Sequence, residues 1–222
     1  RSRWKHRSSE PRVIPLFIES MGMALPPTVE DAEELAPKIG RSPRWIRERA
    51  GVEKRHISHE SMPALAAKAA HKALENSEER PDLILSASGV AHQVLPDNSV
   101  FLQKAMGFSG IPSFSIHATC LSFMTALQAA SGLINTQAYR RILVVSADLG
   151  SRGRNFHEPE SAALLGDGAA AALLTAPPKA SPSGLLAFEM TTLPEGAEYT
   201  AVRGGGTRLH PEDPNTKPED NF

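Results

Sequence analysis

Cysteine is nearly absent: the 222 residues contain one, Cys120. A single thiol excludes an internal disulfide and any Cys-rich metal site, and it fits a reducing, cytoplasmic compartment. An excess of one charge sign is absent too. Lys and Arg number 24 against 25 Asp and Glu, a formal net charge of −1, which gives no electrostatic case for nucleic acid or an anionic membrane. No apolar run approaches the length of a membrane span. No h-region opens the chain, and no repeat of solenoid period recurs. The chain begins on Arg1 and stops in a polar run at Phe222, so it is expected to be a processed or interrupted piece of a longer one. The remaining composition is that of a soluble globular protein with one large domain or two small ones.

The chain is organised around its cysteine, in Ser113-Phe114-Ser115-Ile116-His117-Ala118-Thr119-Cys120-Leu121-Ser122-Phe123. Pro112 to His117 reads as a short strand, because Phe114 and Ile116 alternate with small or polar residues. Leu121 to Ala138 reads as a helix rich in Ala, Leu, Met and Gln. Cys120 then sits where a strand turns into a helix. Free N–H groups and the positive helix end favour an anion there, so a thiol ionises more easily, and the thiolate is the nucleophile. A lone cysteine also reads as a small buried hydrophobe, the commoner fate of a free thiol.

Residues 1–12 are basic and apolar-poor and read as a disordered tail rather than a nucleic-acid arm. Val13 to Glu19 is a candidate strand and Met21 to Pro27 a loop. Thr28 is placed to cap a helix through Lys38, ended by Gly40. Ser42-Pro43 opens a second helix that stops at Gly51. On it Trp45 and Arg49 are four apart and share a face, which suits either a stacked base and paired phosphate or a solvated helix with Trp45 turned inward. A helix from Ser61 to about Asn76 follows, with Leu65, Ala66, Ala69, Ala70, Ala73 and Leu74 as its apolar face. Asp82 to Ser88 reads as a buried strand whose carboxyl end is a ligand-binding position in α/β folds. A loop, Gly89 to Asp97, and a helix capped by Asn98 come next. Arg141 to Ala147 is a near-continuous apolar strand of a sheet covered on both faces, reached by a parallel crossover. Gly166-Asp167-Gly168 reads as a tight turn. It lacks the spacing of a dinucleotide fingerprint and the Lys of a phosphate loop. Leu185 to Thr192 is a last candidate strand, and residues 204–222 read as loop.

Four segments carry a family likeness in order. They are Trp45-Ile46-Arg47-Glu48-Arg49-Ala50-Gly51-Val52-Glu53-Lys54-Arg55-His56-Ile57, Ala91-His92-Gln93-Val94-Leu95-Pro96, Ser115-Ile116-His117-Ala118-Thr119-Cys120, and Leu165-Gly166-Asp167-Gly168-Ala169-Ala170-Ala171. Together they resemble the β-ketoacyl-acyl-carrier-protein synthase III group of the thiolase superfamily. The resemblance implies an α/β, thiolase-like layered fold (αβαβα) of two similar halves. This chain would hold the amino-terminal half and part of the insertion, with the carboxy-terminal half missing. Residues 13–180 would form the domain with the nucleophile, and residues 181–222 the start of the second half or an insertion. The resemblance further implies a homodimer reached by the 91–96 loop, and Cys120 acylated by acyl-CoA or an acyl carrier protein, then attacked by the carbanion of decarboxylating malonyl carrier protein. Trp45 and Arg49 would contact the nucleotide of coenzyme A. No metal or other cofactor is implied; the thioesters are substrates.

The chain departs from the family at three places. Leu121-Ser122 stands where the priming synthases carry Ala-Gly, which is closer to the long-chain condensing branches. Pro159 falls where an Arg often stacks on adenine. The family's catalytic His and Asn have no match: none of His6, His56, His59, His71, His92, His117, His157 or His210 sits in the right context. His117 precedes Cys120 by three residues on the strand and reads as structural. Besides a condensing enzyme, the residues admit a non-catalytic chain that binds acyl groups or a partner half, and a cysteine hydrolase using a local His. The condensing reading places Cys120 at the amino end of a buried helix, at the bottom of an apolar tunnel. It also leaves apolar sheet surface uncovered.

Overall fold

A computed structural model describes residues 13–179, 181–210, 212–217 and 220; the basic segment 1–12 lies outside them. In chain order the elements are β1 (Ile14–Pro15), β2 (Phe17–Ala24), β3 (Thr28–Asp31), α1 (Ala32–Ile39), α2 (Pro43–Ala50), β4 (Lys54–Ile57), α3 (Met62–Leu74), β5 (Leu83–Ser86), α4 (Asn98–Ala105), β6 (Ser113–Ser115), α5 (Ser122–Asn135), β7 (Arg141–Leu149), α6 (Pro159–Ala162), β8 (Asp167–Thr175) and β9 (Gly184–Leu185). None of these helices is long and apolar enough to cross a membrane.

Five strands form one sheet in the order β2-β8-β7-β5-β6. β5 runs parallel to β6 and to β7, while β8 lies antiparallel to both β7 and β2. The chain leaves β6, crosses as α5 and returns as β7 on the far side of β5, the crossover that the apolar run 141–147 implied. Alternation along the strands divides the core. Ile84, Leu143, Val145 and Leu173 pack with α3 and α4 on one face. Leu83, Leu85, Ile142, Val144 and Leu174 pack with Ala126, Ala130 and Ile134 of α5 on the other. These are three layers, helix on sheet on helix, of the five that the resemblance implied.

The α5 layer is open on its outer side. No charged residue occurs in Ser122–Asn135, yet Met124, Gln128 and Gly132 are exposed. On the same face of the sheet, Met21 is 72% and Met23 58% exposed. A helix without charge and a bare row of methionines are surfaces that ordinarily face apolar neighbours. The expected uncovered apolar sheet surface is therefore present.

Four local readings are corrected, the first two by strand pairing. Residues 21–24, read as loop, continue β2, because β8 supplies a ladder from Phe17↔Thr175 to Ala24↔Ala169. Thr28 does not start a helix; it belongs to β3, which pairs with β4. The cap is Asp31, whose Oδ1 accepts the Glu34 amide at 2.9 Å, completing a capping box with the Glu34 side chain. The Gly166-Asp167-Gly168 segment is the entry to β8, not a tight turn. Its carboxylate is satisfied by neighbouring segments, as described below. The last strand shrinks to Gly184–Leu185 against Ile14–Pro15, with no longer strand among the described residues that follow. The second helix, by contrast, has its Ser42 cap, Pro43 at its first position and a left-handed Gly51 after it.

Candidate functional site

Cys120 lies one residue before Leu121, the residue that caps α5, and no side chain caps that helix end. The residue before it, Thr119, has φ 48°. A β-branched residue in the left-handed region costs about 1–3 kcal/mol and persists only where its surroundings impose it. Here they do. The Ser122 hydroxyl, at the first position of α5 and 2% exposed, donates to the Thr119 carbonyl at 2.7 Å. It accepts the Ala118 amide at 2.9 Å. The Ser122 amide also donates to Thr119 O, at 3.1 Å.

Cys120 is exposed, not at the bottom of an apolar tunnel. The described residues supply only one side of such a tunnel: Leu121 is 52% and Met124 50% exposed, with nothing packed over them. A cavity of about 130 Å³ opens beside the turn, between the 89–97 loop and residues 115–117. Its walls are mixed: Val90, Val94 and Ile116 line it beside Ser86, Asp97 and His117.

His117 makes no hydrogen bond to the thiol. Its Nε2 lies 2.9 Å from the Gly89 carbonyl oxygen. A carbonyl only accepts, so Nε2 carries the proton in this contact, and the ring serves as a strut between the turn and the β5 end. This contact agrees with the structural reading of His117 and occupies the Nε2 that a local-histidine hydrolase would otherwise have free. On its other side Gly89 donates to Asp148 Oδ1 at 2.8 Å.

Trp45 and Arg49 share α2, Trp45 half-buried and Arg49 exposed. The guanidinium over the indole is that of Arg41, 5.4 Å from the ring centroid. Sequence reasoning missed Arg41, although it too is four residues from Trp45, because it lies before the helix that starts at Pro43. Trp45 packs with α1 and with Ala162 and Ala163, whereas α5 belongs to the other helical layer. Trp45 thus packs in a different cluster from α5, the helix that Cys120 precedes.

Asp167 was unassigned by its motif, but the structure shows it as a tie point. It is buried and accepts the Ser58 amide at 2.6 Å, the Ser151 amide at 2.8 Å and the Ser151 hydroxyl at 2.7 Å. Gly166 beside it packs closely on β4: a Cβ there would lie 3.0 Å from Arg55 Cβ and 3.3 Å from the His56 carbonyl oxygen. The signal for both was an Asp between glycines at the head of an Ala-rich strand.

Three comparisons bear on this site. Residues 114–194, from β6 through the nucleophile turn and β8, match the family model for 3-oxoacyl-[acyl-carrier-protein (ACP)] synthase III. The chain is 36% identical over 169 residues to a β-ketoacyl-[acyl-carrier-protein] synthase III of Erythrobacter litoralis, covering 74% of this chain and 53% of that protein. It is 31% identical over 202 residues to the Cereibacter sphaeroides protein of the same name, covering 87% of this chain and 62% of the other. The crystal structure of 3-oxoacyl-(acyl carrier protein) synthase III from Pseudomonas aeruginosa superposes with a TM-score of 0.76 at 28% identity, over 84% of this chain and 57% of that one. The chain thus spans between half and two thirds of the length of the relatives it matches. With its cysteine turn, its sheet order and its sequence all agreeing, the chain belongs to the β-ketoacyl-[acyl-carrier-protein] synthase III family and has a thiolase-like fold.

Proposed function

We propose that this chain carries the acyl-accepting part of a cytoplasmic, decarboxylating Claisen condensation of the synthase III type. The Cys120 thiolate attacks the carbonyl carbon of an acyl thioester. A carbon–sulfur bond forms, the carbonyl electron pair moves to oxygen, and collapse expels the donor's thiolate, which takes up a proton. The Cys120 amide is a donor for that oxyanion. Malonyl carrier protein then loses carbon dioxide, and its carbanion attacks the acyl carbon and releases the sulfur. The observation that carries this reading is an exposed, sole cysteine held after a left-handed Thr119 at the uncapped head of a 14-residue helix.

The donor is an acyl-CoA or an acyl carrier protein. Trp45 and Arg49 form the nucleotide-contacting surface for the first, with Arg41 beside the indole. The 89–97 loop, where Val94 is 79% and Leu95 78% exposed, is the surface through which the chain forms a homodimer. No described side chain hydrogen-bonds to Cys120. Acylation is therefore assigned to Cys120, and the decarboxylating groups to residues outside those described. The same observation favours the second reading, a non-catalytic chain that binds acyl groups or a partner half.

Intact-mass analysis after incubation with acyl-CoA, and separately with acyl carrier protein, decides between them. One acyl group per chain, absent in Cys120→Ala, is the expected result. Saturable acyl binding without any covalent adduct supports the non-catalytic chain instead.

A further inference from the structure

We propose that Ser122 is the positioning residue that aims the Cys120 amide, an inference that rests on Cys120 being the acyl acceptor. One buried hydroxyl grips the turn on both sides of Thr119. It accepts the Ala118 N–H at 2.9 Å and lies 2.7 Å from the Thr119 carbonyl oxygen as its donor. It is also 3.2 Å from the Ser88 carbonyl oxygen, just past the carboxyl end of β5, which ties the turn to the sheet. Thr119 has every steric reason to leave φ 48°. The contacts that oppose this converge on Ser122, whose amide reaches the same carbonyl at 3.1 Å.

The consequence for chemistry follows from the planarity of one peptide unit. The Thr119 carbonyl and the Cys120 N–H belong to the same trans peptide and point in opposite directions. Holding the carbonyl inward on Ser122 therefore directs the Cys120 N–H outward, away from the sheet. The thiol of the same residue is exposed. An oxygen on an acylated or attacked carbon at Sγ meets a donor whose direction is fixed before the substrate arrives, and such preorganisation is what an oxyanion site requires. Ser122 touches neither sulfur nor substrate; it acts through the peptide plane.

Because Cys120 is the sole cysteine, two reactions can be followed at one atom. Acyl transfer from a thioester develops charge on a carbonyl oxygen and needs the amide. Alkylation by iodoacetamide develops none there. In Ser122→Ala the acylation rate is expected to fall about 100-fold, the scale of losing one oxyanion donor, while alkylation changes by less than about threefold. Ser122→Thr, which keeps the hydroxyl, should recover much of the acylation rate. Equal rates of acylation in the parent and Ser122→Ala, or parallel loss of both reactions, overturns the proposal. A parent that alkylates but is acylated at no position overturns the nucleophile reading instead. Amide exchange in the parent gives a test that needs no variant. The Ala118 amide should exchange far more slowly than a free loop amide, and exchange at the free rate contradicts the clamp.

Discussion

Asp148, at the carboxyl end of β7, holds Gly89, at the carboxyl end of β5: its Oδ1 accepts the Gly89 amide at 2.8 Å and the Val90 amide at 3.1 Å. A Cβ on Gly89 would lie 3.2 Å from that same oxygen and 3.7 Å from the Thr119 carbonyl oxygen. The carboxylate, the loop that borders the cavity and the cysteine turn are thus packed in one row. Asp148→Ala leaves two amides without their charged acceptor and should cost about 1.5–3 kcal/mol. The loss should be local. Urea denaturation reports its size, and limited proteolysis should cut the 89–97 loop of the variant well before any other segment.

A second close approach is purely backbone. β2 lies directly on α3: a Cβ at Gly22 would come within 2.1 Å of the Ala69 carbonyl oxygen and 2.4 Å of the Ala73 amide nitrogen. Neither atom can turn aside, because both belong to the α3 backbone. Gly22→Ala should therefore push β2 off the sheet or the helix off its face, at a cost of about 3 kcal/mol or more. A melting-temperature shift against the parent measures this. An unchanged melting temperature would mean that the strand and helix lie farther apart than the structure places them.

What the sequence made legible was whatever is decided locally. The α2 helix is set by Ser42, Pro43 and Gly51, and α3 by its run of small apolar residues; both lie where that chemistry puts them. The cysteine turn was legible for the same reason, as a change of period from two to 3.6. What depended on a distant strand was not. Thr28 and Asp31 are both competent helix caps, and only the pairing of residues 28–31 with 54–57 decides between them. Met21 to Ala24 look like loop until β8 lies alongside. In the site, the exposure of Cys120 was invisible because it depends on what does not pack over the turn. Ser122 was invisible because its hydroxyl turns backward rather than capping its own helix. Asp167 is joined to Ser58 by the tertiary fold alone, whereas Arg41 is local to Trp45 but stands before the helix that drew the reading.

Charge inside the fold gives the pH prediction. Glu30 is buried and receives Arg154 Nη1 and Lys38 Nζ, each at 2.5 Å, with Arg55 Nη1 at 3.6 Å. Burial by itself pushes the Glu30 carboxyl up, but the hydrogen bonds and charges of Arg154 and Lys38 outweigh it, and the carboxyl stays below its ordinary value of 4.5. Arg55 is lowered as well, but by burial itself, against the pull of Glu30. A carboxyl depressed in the folded chain adds stability that is fully present above its unfolded value and is lost as pH falls through its folded one. Stability should thus be flat in this contribution from neutral pH to about 5 and drop below 4.5. Glu30→Gln removes that acid-sensitive component, so its stability should fall less steeply below 4.5 than the parent's. At neutral pH it should be lower by about 3–5 kcal/mol, since two buried guanidinium groups lose their counter-charge. Urea midpoints of both proteins between pH 3.5 and 7 check the sign and the size together. Parallel curves would show that the acid response belongs to other carboxylates.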